Sequence, residues 1–446
     1  MIPAWTGIAV MLLALALLLG AVRLYQRSFS PEPEIPRKIV HVLMGLLTLS
    51  FPWVFSQRWP VVVLGVTATG IMIALRTVGP LRRGVGNVLL AVNRESLGEV
   101  CFPISVTIVW WLSFGRDPLL FVIPVLLLSL ADTVAALVGL RYGHRPYSTT
   151  EAPKTVEGSV AFFAVAFASV LVPLLFWSTV PRANALLIAT LLGLLVMIFE
   201  AIAWRGLDNL FIPLGAYVFL NAQIDEPAAW LLGQLLALVA LMAVGVWYRR
   251  RTTLAGDGVL AAALAGYVFW ALGGWPWIVA PVTLFLFYAV LTPLPDEGQP
   301  RIHDMRAVMS YGAAGLWWVF VAYSTNHQEL LYAFTASFAA QLAMFSFFRI
   351  QARHPHWYAK GELGINVLKD WAVMFLPWAL IVGISQRTVT LAVLGMVTTA
   401  AAAVTLYALQ ESTSDGLPTE VRWLAQAVIA FVASSACALA LGVVKP

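Results

Sequence analysis

The chain has 446 residues, 61% of them hydrophobic and 11% charged, with a mean hydropathy of +0.85. Soluble domains carry about a quarter charged residues, so this composition excludes a soluble enzyme, a disordered tail and a secreted disulfide scaffold. The net charge of +5 comes from 27 basic and 22 acidic residues. The basic ones are spread over many loops, which suits membrane topology and argues against a nucleic-acid partner.

Apolar runs of helical length lie near 5–22, 39–56, 59–75, 97–114, 118–140, 158–178, 183–203 and 207–222. Eight more lie near 228–248, 255–272, 275–292, 305–323, 328–348, 368–384, 388–408 and 421–442. At about twenty residues per crossing these predict an all-α, polytopic transmembrane bundle of about sixteen helices in two halves. No small-residue cleavage site follows the first run, which reads as a transmembrane helix and not a signal peptide. With the N-terminus outside, the loops assigned to the cytoplasm hold 22 basic residues and the opposite loops hold 5 (Arg58, Arg116, Arg182, Arg387 and Lys445). That asymmetry supports the span count, because a missed span would invert every later loop. The run Tyr248-Arg249-Arg250-Arg251 is a cytoplasmic stop near the middle. Residues 1–225 and 226–446 are expected to form two domains, with the chemistry in the first. Cys101 and Cys437 stand far apart in apolar runs and define neither a disulfide nor a thiolate metal site.

Five polar constellations interrupt the apolar background of the first half. Arg37, Lys38, His41 and Gly45 open the second run as RKIVHVLMG, with His41 one turn from both Arg37 and Gly45. Basic residues at a boundary are ordinary topology anchors, and no second histidine stands at zinc-ligand spacing. Glu95 and Glu99 sit four apart in RESLGE, on one side of a helix start, where Glu95 could also pair with Arg94. Asp132 lies nine residues before Arg141 in ADTVAALVGLRYG, about 13 Å along a helix. A carboxylate at that depth costs at least about 2.5 kcal/mol, so it should face a cation, a cavity or a basic partner.

Gly139 and Gly143, with Arg141, His144 and Arg145, make the following loop flexible and basic. Lys154, Thr155, Glu157, Gly158 and Ser159 then form KTVEGS at the entrance to the sixth run. Free N–H groups at a helix start, beside a lysine, suit an anion such as phosphate; an ordinary N-cap by Thr155 or Ser159 fits the same residues. Asp208 and Asn209 sit in LDNLFIPLG with Glu200 before them. Carboxylates and a carboxamide are oxygen donors that suit Mg²⁺, with Asp132, Glu99 and Asp208 as candidate ligands. All five constellations fall on one predicted membrane face. No Walker A, GxGxxG or HExxH motif is present.

The ordered motifs RKIVHVLMG, RESLGE, ADTVAALVGLRYG, KTVEGSVAFF and LDNLFIPL resemble the membrane kinases of polyprenols, the phytol kinase and dolichol kinase family, over about residues 20–222. The resemblance implies transfer of a phosphoryl group from CTP to an isoprenoid alcohol; with the carboxylates suited to Mg²⁺ and the basic loops, it leads to the expectation of a magnesium-dependent site at the cytoplasmic face of a bacterial inner membrane. It implies active-site roles for Asp132, Gly139, Lys154, Thr155, Glu157 and Gly158. Lys154 would meet the nucleotide phosphates, and Arg37, Lys38, Gly139, Gly143, Thr155, Gly158, Ser159 and Asn209 are the expected nucleotide-binding residues. Mg²⁺ would bind through Asp132 and either Glu157 or Asp208, while Arg37, Lys38 or His41 would stabilise the transferring group. The second half bears a fainter resemblance to the phytyl-phosphate kinase family through LAGDGVLAAALAGYVFWALGGWPW, with Gln341 where that family would carry an acid. A separate prenyl-phosphate kinase would then act downstream, and membrane lipids would surround both halves. A phosphatidate cytidylyltransferase-like enzyme would share the CTP and Mg²⁺ requirements, and intramembrane acids also mark transporters and flippases.

Overall fold

The computed structural model describes residues 3–32, 34–78, 97–147, 154–248, 254–291, 304–353, 360–411 and 418–442. Glu95 and the Arg249–Arg251 stop lie outside the described residues. Each of the sixteen apolar runs falls on helix, and the fold is an all-α polytopic bundle. Among the described residues eleven helices are long and apolar enough to cross a membrane, and Gly98–Ser113 and Pro276–Tyr288 are shorter apolar helices. The remaining runs map to Glu34–Leu49, Asp208–Gln223 and Met305–Thr325. The first two of these carry Lys38, His41 and Asp208, so their shortfall in apolar length marks where the polar site enters the bundle.

Contacts divide the chain into two units, Met1–Leu236 and Ala237–Pro446. The first comprises α1 (Ala4–Phe29), α2 (Glu34–Leu49), α3 (Phe51–Val54), α4 (Trp59–Thr77) and α5 (Gly98–Ser113). After these come α6 (Leu119–Leu126), a π-helical turn (Leu127–Ala131) and α7 (Asp132–Tyr142). A two-stranded antiparallel ribbon follows, β1 (Pro146–Tyr147) pairing with β2 (Lys154–Thr155). Then come α8 (Val156–Trp177), α9 (Arg182–Ile202), α10 (Asp208–Gln223) and the start of α11 (Ala228–Tyr248). The axis of this unit is the broken helix Leu119–Tyr142, against which α2, α8 and α10 all pack. Leu120, Phe121, Ile123, Val125, Leu127 and Leu128 are buried along it.

Two close crossings set the positions of the polar residues. A Cβ added at Gly45 of α2 would lie 2.3 Å from Ser129 Cβ, so α2 rests directly on the π turn. At Gly158 of α8 an added Cβ would lie 3.1 Å from the Ala135 carbonyl and 3.4 Å from Gly139 Cα, so α7 and α8 also pack nearly backbone to backbone.

The second unit is organised around α15 (Leu331–Arg353), almost wholly buried from Leu330 to Phe347. Around it pack α13 (Pro276–Leu291), α14 (Met305–Thr325), α16 (Lys360–Val382), α17 (Gln386–Glu411) and α18 (Thr419–Ala440), with α12 (Gly256–Gly273) against α14. Its interior polar groups bind neighbouring helices: Gln341 Nε2 donates to the Ser310 carbonyl at 2.9 Å and Trp318 Nε1 to Ser434 Oγ at 2.8 Å. Aromatic rings fill against glycine at two crossings, Phe375 on Gly395 and Phe338 on Gly315.

Candidate active site

The site grows from a local break in one helix. Pro124 lacks an N–H, and the five residues that begin three positions later, Leu127–Ala131, adopt the wider π spacing. Such a turn leaves carbonyls without regular helical partners. His41 Nε2 donates to the Leu128 carbonyl at 2.9 Å, and Thr133 Oγ1 donates to the Ser129 carbonyl at 3.1 Å. The bulge ends at Asp132, whose carboxylate Oδ2 accepts from Lys38 Nζ at 2.6 Å, with His41 Nε2 3.9 Å away. Lys38 is buried, so this is an ion pair in the low-dielectric interior of the bundle. Its attraction offsets a large desolvation cost only while both partners are present.

A second pair lies nearby. Lys154, at the end of the ribbon, donates to Glu200 Oε1 at 2.8 Å and also to the Glu200 backbone carbonyl at the end of α9. Burial works against the Lys154 ammonium, but the Glu200 carboxylate more than offsets it, so the lysine stays above its ordinary pKa. Asp208 opens α10 after a turn in which Arg205 and Gly206 take φ of 52° and 80°. This turn is anchored by the N–H of Leu97, which donates to the Arg205 carbonyl at 2.6 Å. Asp208 lies within electrostatic reach of Asp132, Lys154 and Lys38, and Glu200 within reach of Asp132 and Asp208. Lys38, which is buried, and Asp132, Asp208, Lys154 and Glu200, which are partly buried, thus form one group of two basic and three acidic side chains.

The remaining expected residues divide around this group. Arg37 is held by Glu34 at the start of α2, Nε to Oε2 at 3.1 Å. Burial opposes ionisation of both, but their mutual attraction prevails, lowering the Glu34 pKa and raising that of Arg37. Glu99 starts α5 and senses Arg37, Arg76 and Asp208. Glu157 is drawn to the ribbon instead: its Oε2 accepts from the Arg145 N–H at 3.2 Å. Of the two proposed companions of Asp132, Glu157 and Asp208, it is Asp208 that the fold brings to it. Thr155 is the N-cap of α8, its Oγ1 accepting from the Gly158 N–H at 3.2 Å. Ser159 is not a cap; its Oγ pairs with Tyr147 Oη at 2.8 Å, which ties α8 to β1. Gly139 and Gly143 face Thr155, and a Cβ at Gly143 would lie 2.5 Å from Thr155 Cγ2.

Several features escape a reading of the sequence. The KTVEGS segment contributes a ribbon strand as well as a helix start, because Lys154 and Thr155 pair with Tyr147 and Pro146. Lys38, expected near phosphate, is engaged by Asp132. Glu200, a lone acid at the end of an apolar helix, is the direct partner of Lys154; its cost in that position was the signal available.

The donors suit a magnesium ion with substrate phosphates. Asp208 Oδ1 and Asn209 Oδ1 are buried and make no hydrogen bond, and such oxygens are costly unless a cation or donor reaches them. Among the described residues no three of His, Cys, Asp and Glu gather to hold a metal by themselves, so Asp132, Glu99 and Asp208 do not form a complete cage. Mg²⁺ commonly takes one or two carboxylates and completes its shell with water and phosphate. The residues present fit that mode.

Lysines and carboxylates gathered among apolar helices define a polar site in an integral membrane protein. The phytol kinase of Synechocystis sp. is 30% identical to the chain over 219 residues, covering 48% of this chain and 90% of that enzyme. The chain belongs to the phytol and polyprenol kinase family. No family model matches the chain, and no solved structure does.

Proposed function

We propose that this protein is an integral membrane prenol kinase that transfers the terminal phosphoryl group of CTP to an isoprenoid alcohol, phytol or a related prenol. The observation that carries this reading is the Lys38–Asp132 pair within electrostatic reach of Asp208, whose Oδ1 is buried without a hydrogen bond. Membership of the phytol kinase family supplies the reaction class.

In the reaction, a bond forms between the alcohol oxygen and the terminal phosphorus while the bond from that phosphorus to the bridging oxygen breaks, giving a prenyl phosphate and CDP. The alcohol proton passes to a carboxylate of the cluster. Mg²⁺, when bound, would supply charge neutralisation to the phosphates. Asp132 and Asp208 are the residues that would hold it, with the Asn209 amide oxygen beside them. Lys154 and Lys38 supply positive charge to the phosphates, and His41, fixed by the Leu128 carbonyl, lines the approach. Catalysis of a loose phosphoryl transfer comes mainly from such positioning and charge compensation. The apolar helices around the cluster suit an acceptor with a long hydrocarbon tail. A site at the cytoplasmic face of a bacterial inner membrane is part of the same proposal, and the excess of basic residues in the loops assigned to the cytoplasm supports that side.

The test is incubation of the detergent-purified protein with γ-labelled CTP, Mg²⁺ and a panel of prenols. Label is expected on the lipid for the wild type and on none for Asp132→Asn. Label appearing solely in diphosphate refutes the kinase in favour of a cytidylyltransferase, and full transfer by Asp132→Asn refutes the site.

A further inference from the structure

The cluster contains two lysines, yet they are disposed of differently. Lys38 sits on Asp132, whereas Lys154 is turned to Glu200 on another helix, gripped through both the carboxylate and the backbone carbonyl. Lys154 also lies within electrostatic reach of Asp208. Asp208 is nevertheless left with Oδ1 buried and unbonded, beside the equally unbonded Asn209 Oδ1. A lysine near a buried orphan carboxylate oxygen would ordinarily swing to it, since the stem is flexible and the pairing stabilising. Something has to outcompete Asp208 for that ammonium, and Glu200 is the group in contact with it.

We infer that Glu200 is a positioning residue that sequesters Lys154, keeping the Asp208–Asn209 oxygens open for a divalent cation. The inference rests on the proposed reading of Asp208 as a metal-binding group, and adds a role for a residue that reading does not use. Glu200 touches neither metal nor phosphate in this scheme. It acts through Lys154, in two reinforcing ways: it removes a competing donor from Asp208, and it offsets part of the ammonium charge that would repel the incoming ion while leaving the lysine protonated for the phosphates. Changing Glu200 to glutamine leaves the shape but loosens the hold, so the ammonium becomes free to neutralise Asp208.

The experiment measures Mn²⁺ binding by electron paramagnetic resonance on the full chain in detergent, without nucleotide, so that it is independent of turnover. The wild type is expected to bind Mn²⁺ at a site lost in Asp208→Asn. Glu200→Gln is expected to weaken that site by about tenfold or more, the size typical of outer-shell partners of metal ligands. The double variant Glu200→Gln/Lys154→Met, which removes the competing ammonium and conserves the net charge of the pair, is expected to recover wild-type affinity. That recovery also separates sequestration from a general structural defect. Wild-type affinity in Glu200→Gln, or a double variant as weak as the single one, overturns the inference while leaving the metal reading intact. A wild type with no Asp208-dependent site overturns both.

Discussion

Gly45→Ala tests whether the contact between α2 and the π turn sets the site geometry. The new Cβ would stand 1.7 Å from Ser129 Oγ and 2.3 Å from Ser129 Cβ. A change of the serine rotamer moves Oγ, but Cβ is fixed by the backbone. Carbon atoms pack at about 3.5–4.0 Å, so the helices must separate locally by roughly 1 Å or more. Lys38 can follow along its four-carbon stem; the shorter His41 cannot, and its 2.9 Å bond to the Leu128 carbonyl breaks. Overpacking costs about 1–3 kcal/mol and the lost hydrogen bond about 1 kcal/mol, so destabilisation of about 2–4 kcal/mol is expected. A displacement of that size at a reacting centre costs about a hundredfold in turnover. Thermal unfolding in detergent reports the first effect and phosphoryl transfer from CTP the second. Ser129→Gly in the same chain removes both colliding atoms and should restore most of the loss, whereas Ser129→Ala keeps the Cβ and should not. Wild-type unfolding and turnover for Gly45→Ala, or equal rescue by the two serine variants, refutes the reasoning.

Lys38→Met strands the Asp132 carboxylate in the interior and should destabilise the fold by about 3–5 kcal/mol; Lys38→Met/Asp132→Asn should recover much of that stability in the same unfolding assay and still fail to transfer phosphate. Thr155→Ala removes the acceptor of the Gly158 N–H and should cost about 1 kcal/mol, with Thr155→Ser close to the wild type. The pH dependence has a definite sign at Lys154. Burial disfavours its charge, but Glu200 raises its pKa overall, so its contribution is complete below the ordinary lysine value and fades only as pH rises through the raised one. Transfer should therefore show no loss from this residue below about pH 9, and a Lys154-dependent loss near neutrality in a comparison with Lys154→Met would contradict the pairing.

The helices were legible because an apolar run of about twenty residues has few alternatives to a spanning helix. All sixteen runs lie on helix for that reason. The charged residues were legible as candidates for the complementary reason, that Asp132 in such a run is costly without a partner. Their pairing was not. Lys38 and Asp132 are 94 positions apart, and Lys154 and Glu200 are 46 apart; spacing within one helix carries no information about which acid a lysine will meet on another. Glu157 shows the same limit in reverse. Two positions after Thr155 it looked like a companion for Asp132, but the ribbon turns it onto the Arg145 backbone. The ribbon itself spans only two residues per strand, too short to leave a periodic signal.

The π turn explains why so expensive an arrangement is built at one place. A regular α-helix through residues 127–131 would consume every carbonyl and rotate Asp132 by a full residue step relative to Leu119–Leu126. The inserted spacing instead leaves Leu128 to bind His41 and carries Asp132 to Lys38, both on α2. Gly45, on the same helix, then lets α2 approach closely enough for both contacts to form. The backbone irregularity, the glycine and the basic residues of RKIVHVLMG are therefore one device. Its product is the Lys38–Asp132 pair held within electrostatic reach of Asp208, whose buried Oδ1 carries no hydrogen bond.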